Sequence, residues 1–291
     1  MEFKDTFSSH LKGIENKSSI NKIQIRNIDY IYLINLDRRP ERLHRSLQQL
    51  APYGIMPHRV SGIDGWALGQ DVFDDVAMIV EPSMQYDQPV QVGFRPGNYP
   101  STPFENVLPG QRCLHSQTAA GVIGCSLTHL SILEDAYSSG YGRAWVLEDD
   151  FTVNGNPHDL ARLIDELNGS VGEDGWDILY TDDDDCYTAE TAIIHCGSRH
   201  WIRPGTPMTP RLVERTAVSE NFFKIGGRTQ AHSYVVQRSG MQKILSYIKQ
   251  NRFFFPLDTE IPCIEGLRIY NLRTDLVHGR DRKYSDTYYR L

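Results

Sequence analysis

An α/β fold, a Rossmann-like and mostly parallel sheet flanked by helices, is predicted by three observations in this 291-residue sequence. Short apolar, β-prone runs alternate with segments of helical periodicity, the pattern of strands joined by crossover helices. The first run, YIYLINL at residues 30–36, is almost continuously apolar, as a strand buried on both faces must be. Acids stand directly after several of the runs, where the C-terminal edge of such a sheet carries its ligands.

Residues 1–27 are polar and read as an arm outside a single domain that occupies 28–291. After the first strand, RRPERLHRSLQQL reads as a helix, with Asp37 at its cap, Pro40 in its first turn, and Leu43, Leu47 and Leu50 as its apolar stripe. A strand feeding a helix near the start of the chain is a nucleotide-binding arrangement, and Arg38, Arg39 and Arg42 stand where a phosphate could lie. The same arginines would also suit a solvated helix face. His58-Arg59-Val60 reads as the second strand, and Asp64 follows it, either holding a ribose or serving as a turn residue beside Gly65.

Residues 70–120 contain Pro82, Pro89, Pro96, Pro100, Pro103 and Pro109 and read as an irregular insertion on the acceptor side. A helix follows over 121–142, with Ser126 able to cap its start and Gly140 and Gly142 stopping it. His129 lies on its Cys125, Ile132 and Ala136 side and reads from the residues alone as a satisfied, semi-buried histidine.

That helix delivers the chain to RAWVLEDD, a buried strand ending in Glu148, Asp149 and Asp150. Either the strand ends there in water, or the acids hold a cation. Alternation along a strand puts Glu148 and Asp150 on one face, where they could share a divalent ion, with Asp149 turned away or in its outer shell. WDILYT at 176–181 is a further strand, and the acids of 182–185 after it form a second cation site or a solvated loop. AHSYVVQ at 231–237 is a strand, 239–251 a helix, and 267–272 a late strand. The tail gathers His278, Arg280, Arg282 and Lys283, a charge concentration that could close over a diphosphate or simply end the chain.

Net charge is −7, so no global basic field recommends nucleic acid as a partner. The 15 tyrosines and 4 tryptophans would suit stacking on bases or sugar rings. Five cysteines, with no C-x-x-C pair, fit reduced cytosolic thiols better than a disulfide frame or a zinc site. No signal peptide is visible and no run approaches the ~18 apolar residues of a membrane span. A cytoplasmic protein is expected, with peripheral membrane contact left open.

Four blocks, in order along the chain, resemble glycosyltransferase family 25, the group of bacterial lipopolysaccharide galactosyltransferases and procollagen galactosyltransferases. They are YLINLDRRPERL with RVSGIDG, GVIGCSLTHLSIL with WVLEDD, SYVVQRSGMQKIL with FFPLDTEIP, and LVHGRDRKYSDT. The resemblance implies a GT-A fold, a UDP-sugar donor (most often UDP-galactose), and manganese or magnesium. It also implies inverting transfer to a hydroxyl of a glycan or protein acceptor. It makes Asp150 the direct metal ligand, Glu148 a supporting one, and His278 the histidine that completes the shell. Asn35, Leu36, Arg38, Arg42, Asp64 and Asp149 fall on the nucleotide side, His129 abuts the donor, and Arg282 and Lys283 belong to the tail that could close over the diphosphate. Asp258 is implied as the general base, with Glu260 its competitor. The chain departs from the family pattern at Val122, where an acid is usual, and over 70–120, which leaves the acceptor open. A nucleotidyltransferase, which also pairs strand-end acids with a metal, and a catalytically silent nucleotide-sugar binder are the competing expectations.

Overall fold

Period-two alternation distributes the strand side chains between two cores, and this is what builds the sheet. In β1 (Tyr30–Asn35), Tyr30, Tyr32 and Ile34 enter one core and Ile31 and Leu33 the other, so the whole strand is buried. The structure is a computed structural model that describes residues 6–15, 24–94, 101–182, 202–207, 210–279 and 286–287. Helix α1 (Pro40–Leu50) starts with proline in its first turn, as expected, but its cap residue is Arg39. Asp37 does not cap it. Its carboxylate instead accepts from Arg59 and from Ser61 Oγ on β2 (His58–Ser61), cross-linking the ends of two parallel strands. Leu50 is buried and Leu47 is 39% exposed, so the apolar stripe is incomplete. The inner face of α1 also carries Arg42 and Ser46, which look toward the tip of a neighbouring strand.

The stretch 70–120, expected to be irregular, instead carries α2 (Gln70–Val76) and a separate antiparallel sheet. Its strands are β3 (Met78–Ile79), β4 (Pro89–Val92), β5 (Thr102–Pro103) and β6 (Arg112–His115), in the order β3-β6-β4-β5. Strands of two to four residues broken by proline show no readable alternation, which hid them. Met78, Val80, Val90, Phe104, Val107 and Cys113 close a small core there with Phe254 and Phe255.

Helix α3 (Ala120–Ser138) begins earlier than Ser126, which lies well inside it and donates to Val122 O at 2.9 Å instead of capping. Gly140, at φ +78°, stops the helix as expected. The loop after β2 lies directly on the α3 backbone. A Cβ on Gly124 would stand 2.4 Å from both Gly65 N and Ile63 O, so only glycine permits the contact.

β7 (Arg143–Glu148) and β8 (Phe151–Val153) flank the acidic turn. α4 (Asp159–Val171), β9 (Ile178–Tyr180), β10 (Arg215–Ala217), β11 (Phe222–Ile225) and β12 (Ser233–Gln237) follow. α5 (Arg238–Asn251), α6 (Leu257–Glu260), β13 (Ile269–Leu272) and β14 (Val277–Gly279) complete the described fold. The eight-stranded sheet has the order β10-β11-β13-β9-β12-β7-β1-β2. Six of its strands run one way and β12 and β11 run against them. Residues of α3 and α5 fill the core on one face, and α1 and α4 supply the other. No helix among the described residues is long and apolar enough to cross a membrane.

One buried acid ties the far half of the sheet together. Asp177, just before β9, accepts from Ser239 Oγ at 2.6 Å, Lys243 Nζ at 2.8 Å and Arg268 Nε at 3.0 Å. Burial would push its carboxyl up, but these donors outweigh it and hold it down at about 2. The stabilisation is therefore full above the ordinary value of 3.8 and is lost as pH falls through about 2. Asp177→Asn is expected to cost on the order of 2 kcal/mol at neutral pH. Urea melts taken across acid pH should show the gap from the parent closing as pH approaches 2, and an unchanged gap would count against this account.

Candidate active site at the tip of strand β7

The three acids that end β7 go three separate ways. Asp149 turns back toward α1, where Asn35 Nδ2 donates to it at 2.6 Å and the Arg42 guanidinium lies 3.4 Å away. Ser46 Oγ donates to its main-chain oxygen at 3.0 Å. Burial pushes the Asp149 carboxyl up to about 6, against the pull of Asn35 and Arg42. Asp150 faces His232, whose Nδ1 is 3.0 Å from Oδ1. Burial alone would push the Asp150 carboxyl up, but the His232 charge and hydrogen bond, with Arg42, hold it below the ordinary range. Burial alone would likewise depress His232, yet Asp150 carries it up to about 9. The two form an ion pair at neutral pH. Glu148 takes a third direction, 3.2 Å from His129 Nε2, and His129 Nδ1 lies 2.9 Å from the Tyr234 hydroxyl.

Nothing local in the sequence marks His232. It immediately precedes a strand whose pattern speaks only of burial, and the antiparallel register Ser233↔Leu147 is what carries it to the β7 tip. Its carbonyl accepts from Glu148 N at 2.8 Å. A Cβ on Gly279 would stand 2.0 Å from His232 Cδ2, so the glycine of β14 leaves the imidazole its room beside Asp150.

Ligand atoms of Glu148, Asp150 and His232 lie within 4.8 Å of one another. Two carboxylates and an imidazole suit manganese or magnesium. The position is also electrostatically prepared for a cation, since a protonated imidazole is already stabilised there. A divalent ion bound to His232 must expel that proton. Manganese affinity is therefore expected to climb as pH rises toward 9, by up to about tenfold per pH unit. Calorimetric titration at several pH values checks this, and a flat profile would remove His232 from the ligand set.

The arginines of the β1–α1 turn do not form a solvated face. Asp286, 6% exposed, draws them together: Arg38 Nη1 is 3.3 Å away, Arg39 Nε 2.9 Å and Arg42 Nη2 3.2 Å. Trp66 Nε1 donates to the Asp286 carbonyl at 3.2 Å. Asp64 accepts from Trp66 N at 3.1 Å and lies 3.5 Å from Arg38 Nε. Asn35, Leu36, Arg38, Arg42, Asp64 and all three strand-tip acids line one cleft with Asp286 and Thr287. Most of the residues expected on the nucleotide side thus share one concavity. Asp286, within the LVHGRDRKYSDT block, is a cleft residue that the sequence does not single out, although three arginines within five positions favour an anion opposite them.

Other expected site residues lie elsewhere. His278 pairs across β14 with Thr152 of β8. Its side chain is 43% exposed with Nδ1 3.3 Å from Asp275, and it does not join the ligand atoms of Glu148, Asp150 and His232. The partner that Asp150 has is His232. Asp258 accepts from Gln230 N at 2.6 Å and Thr259 N at 2.9 Å. Burial raises its carboxyl, opposed by those amides and reinforced by the charge of Glu148. Glu260, two positions on and so turned to another side of α6, is fully buried. It accepts from Arg203 at 2.9 Å and from the amides of Phe254 and Phe255 at 2.6 and 2.9 Å. That is an anchor within the fold, not a base facing a cleft. Asp182 is paired with buried Arg228 at 2.9 Å, so a guanidinium stands where the second cation was expected. Residues 183–185, with Arg282 and Lys283, lie outside the described residues.

A family model described as glycosyltransferase family 25 (LPS biosynthesis protein) matches residues 28–261. A human protein named inactive glycosyltransferase 25 family member 3 is 26% identical over 155 residues, which is 52% of this chain and 21% of that protein. A glycosyltransferase 25 family member of Aedes aegypti is 25% identical over 181 residues, 60% of this chain and 25% of that protein. The chain thus spans about a quarter or less of the length of these curated relatives. Among solved structures, mannose-1-phosphate geranyltransferase from Thermus thermophilus covers 86% of this chain and 75% of its own at 11% identity. The TM-score is 0.34, a likeness too weak to bear on the fold or the chemistry.

Proposed function

This chain belongs to glycosyltransferase family 25, and on that footing we propose that it is a metal-dependent, inverting glycosyltransferase. It moves a sugar, galactose first among the candidates, from a UDP-sugar to a hydroxyl of a glycan or protein. The observation that carries this reading is the group of Glu148, Asp150 and His232 at the edge of a cleft that Arg38 and Arg42 also line.

In this reading Asp150, Glu148 and His232 hold the divalent ion, and His232 takes the place that the family resemblance gave to His278. An ion held there would supply positive charge to neutralise the departing diphosphate. Arg38, Arg39 and Arg42 receive phosphate oxygens where the Asp286 carboxylate now lies. Asn35 and Arg42 hold Asp149 so that the strand tip keeps its shape. Asp258 takes the proton of the acceptor hydroxyl as that oxygen bonds to the anomeric carbon and UDP leaves with the bonding pair. A carboxyl raised by burial is a better base than one in water, which favours Asp258 for this step. The small sheet of 78–115 forms the acceptor side.

The test is a UDP-release screen across UDP-sugars, run with manganese and again with chelator. Release that needs the metal is the expected result. Turnover that survives chelation would sink the metal-dependent reading. Pyrophosphate release from a nucleoside triphosphate would make the protein a nucleotidyltransferase. Binding of UDP-sugars without hydrolysis or transfer would class it as silent, as the name of the human relative says of that protein.

A further inference from the structure

The strand tip carries a second group of ligand atoms, which shares Glu148 with the first and adds two side chains that the transfer reaction does not use. Cys125 and His129 stand one turn apart on α3, and the helix presents both to the end of β7. Cys125 Sγ, a His129 ring nitrogen and a Glu148 carboxylate oxygen lie within 4.8 Å of one another. Cys125 is a free, partly exposed thiol on the wall of the cleft. His129 is almost fully buried, and its ring is fixed by the Tyr234 hydroxyl 2.9 Å from Nδ1, leaving Nε2 turned to Glu148. A hydrogen-bond partner on the far nitrogen is the usual support of a metal-binding imidazole.

We propose that Cys125, His129 and Glu148 form a binding site for a thiophilic divalent cation of the zinc class, distinct in its ligand chemistry from the oxygen-rich group of Glu148, Asp150 and His232. Thiolate, imidazole and carboxylate are the ligand types that zinc takes, and three of them leave a fourth position open to water from the cleft. Manganese and magnesium, which favour oxygen, have no reason to choose a thiolate. Binding replaces the Cys125 thiol proton by the metal, and the proton leaves to solvent. Because Glu148 belongs to both groups, a zinc-class ion on the α3 side draws that carboxylate away from Asp150. Traces of such an ion would then act as an inhibitor of a manganese-dependent reaction.

Cobalt reports the site without any need for turnover. The reduced, metal-free full chain is titrated with Co2+, and a sulfur-to-cobalt charge-transfer band in the near ultraviolet is expected, bleached by added Zn2+. Cys125→Ser should abolish the band, whereas Cys263→Ser should keep it. Glu148→Gln, which leaves the thiol in place, should weaken Co2+ binding about tenfold or more. It serves as the second arm if the serine variant does not fold. Absence of the band in the parent, its persistence in Cys125→Ser, or unchanged affinity in Glu148→Gln would each overturn the site. None of these readouts depends on transferase activity, so a failed UDP-release screen leaves the result standing.

Discussion

Asp150→Asn is expected to lower turnover of a UDP-sugar by on the order of a thousandfold, a loss of about 4 kcal/mol in transition-state stabilisation. The change removes one of the two carboxylates offered to the ion, and it also removes the counter-charge that keeps His232 protonated up to about 9. Without that charge, burial is opposed only by the charges of Glu148 and Asp182, and the imidazole should titrate lower than in the parent. Two measurements separate this from simple misfolding. Circular dichroism should show the parent's fold, and the His232 titration followed by NMR should move down from about 9. The loss should fall on kcat more than on KM, because Arg38, Arg39 and Arg42, the proposed phosphate contacts, are untouched. Turnover within a factor of about ten of the parent would remove Asp150 from the chemistry.

Glu260→Ala is expected to destabilise the fold by about 3–5 kcal/mol. The substitution strands the Arg203 guanidinium, only 5% exposed, and leaves the amides of Phe254 and Phe255 without their acceptor. Those phenylalanines join the small insertion core to the main fold, so the damage spreads to Met78 and Val90. Glu260→Gln keeps an acceptor oxygen for the amides and should lose less. Urea denaturation gives both numbers, and turnover per folded molecule should match the parent in each variant. A Glu260→Ala protein that is as stable as the parent but inactive would restore this acid as a candidate base.

Much of the architecture is legible in the sequence because burial leaves periodic traces. The β1 run, the amphipathic α5, the α3–β7 succession and the acidic tip can all be read from alternation and helical periodicity. Details that depend on competition between neighbours cannot. Asp37 has the look of a helix cap, but Arg59 and Ser61 of a strand adjacent only in space claim its oxygens. Ser126 has the look of a helix start, but the helix already runs from Ala120, and its oxygen also accepts from Leu257 N at 3.1 Å. The insertion's short strands are invisible because two to four residues do not establish a period.

Residue type and local periodicity suffice to end a buried strand in Glu148-Asp149-Asp150, to place arginines after the first strand, and to set Asp258 and Glu260 after an aromatic run. The partners of these groups are a tertiary matter: His232 rather than His278 beside Asp150, Asp286 among the arginines, Arg203 on Glu260, and Arg228 on Asp182. The physical reason is that a local pattern says which face a side chain takes, while strand order and register say what it meets there. An antiparallel β12 between β7 and β9 leaves no local mark, yet it is what sets His232 against the strand tip.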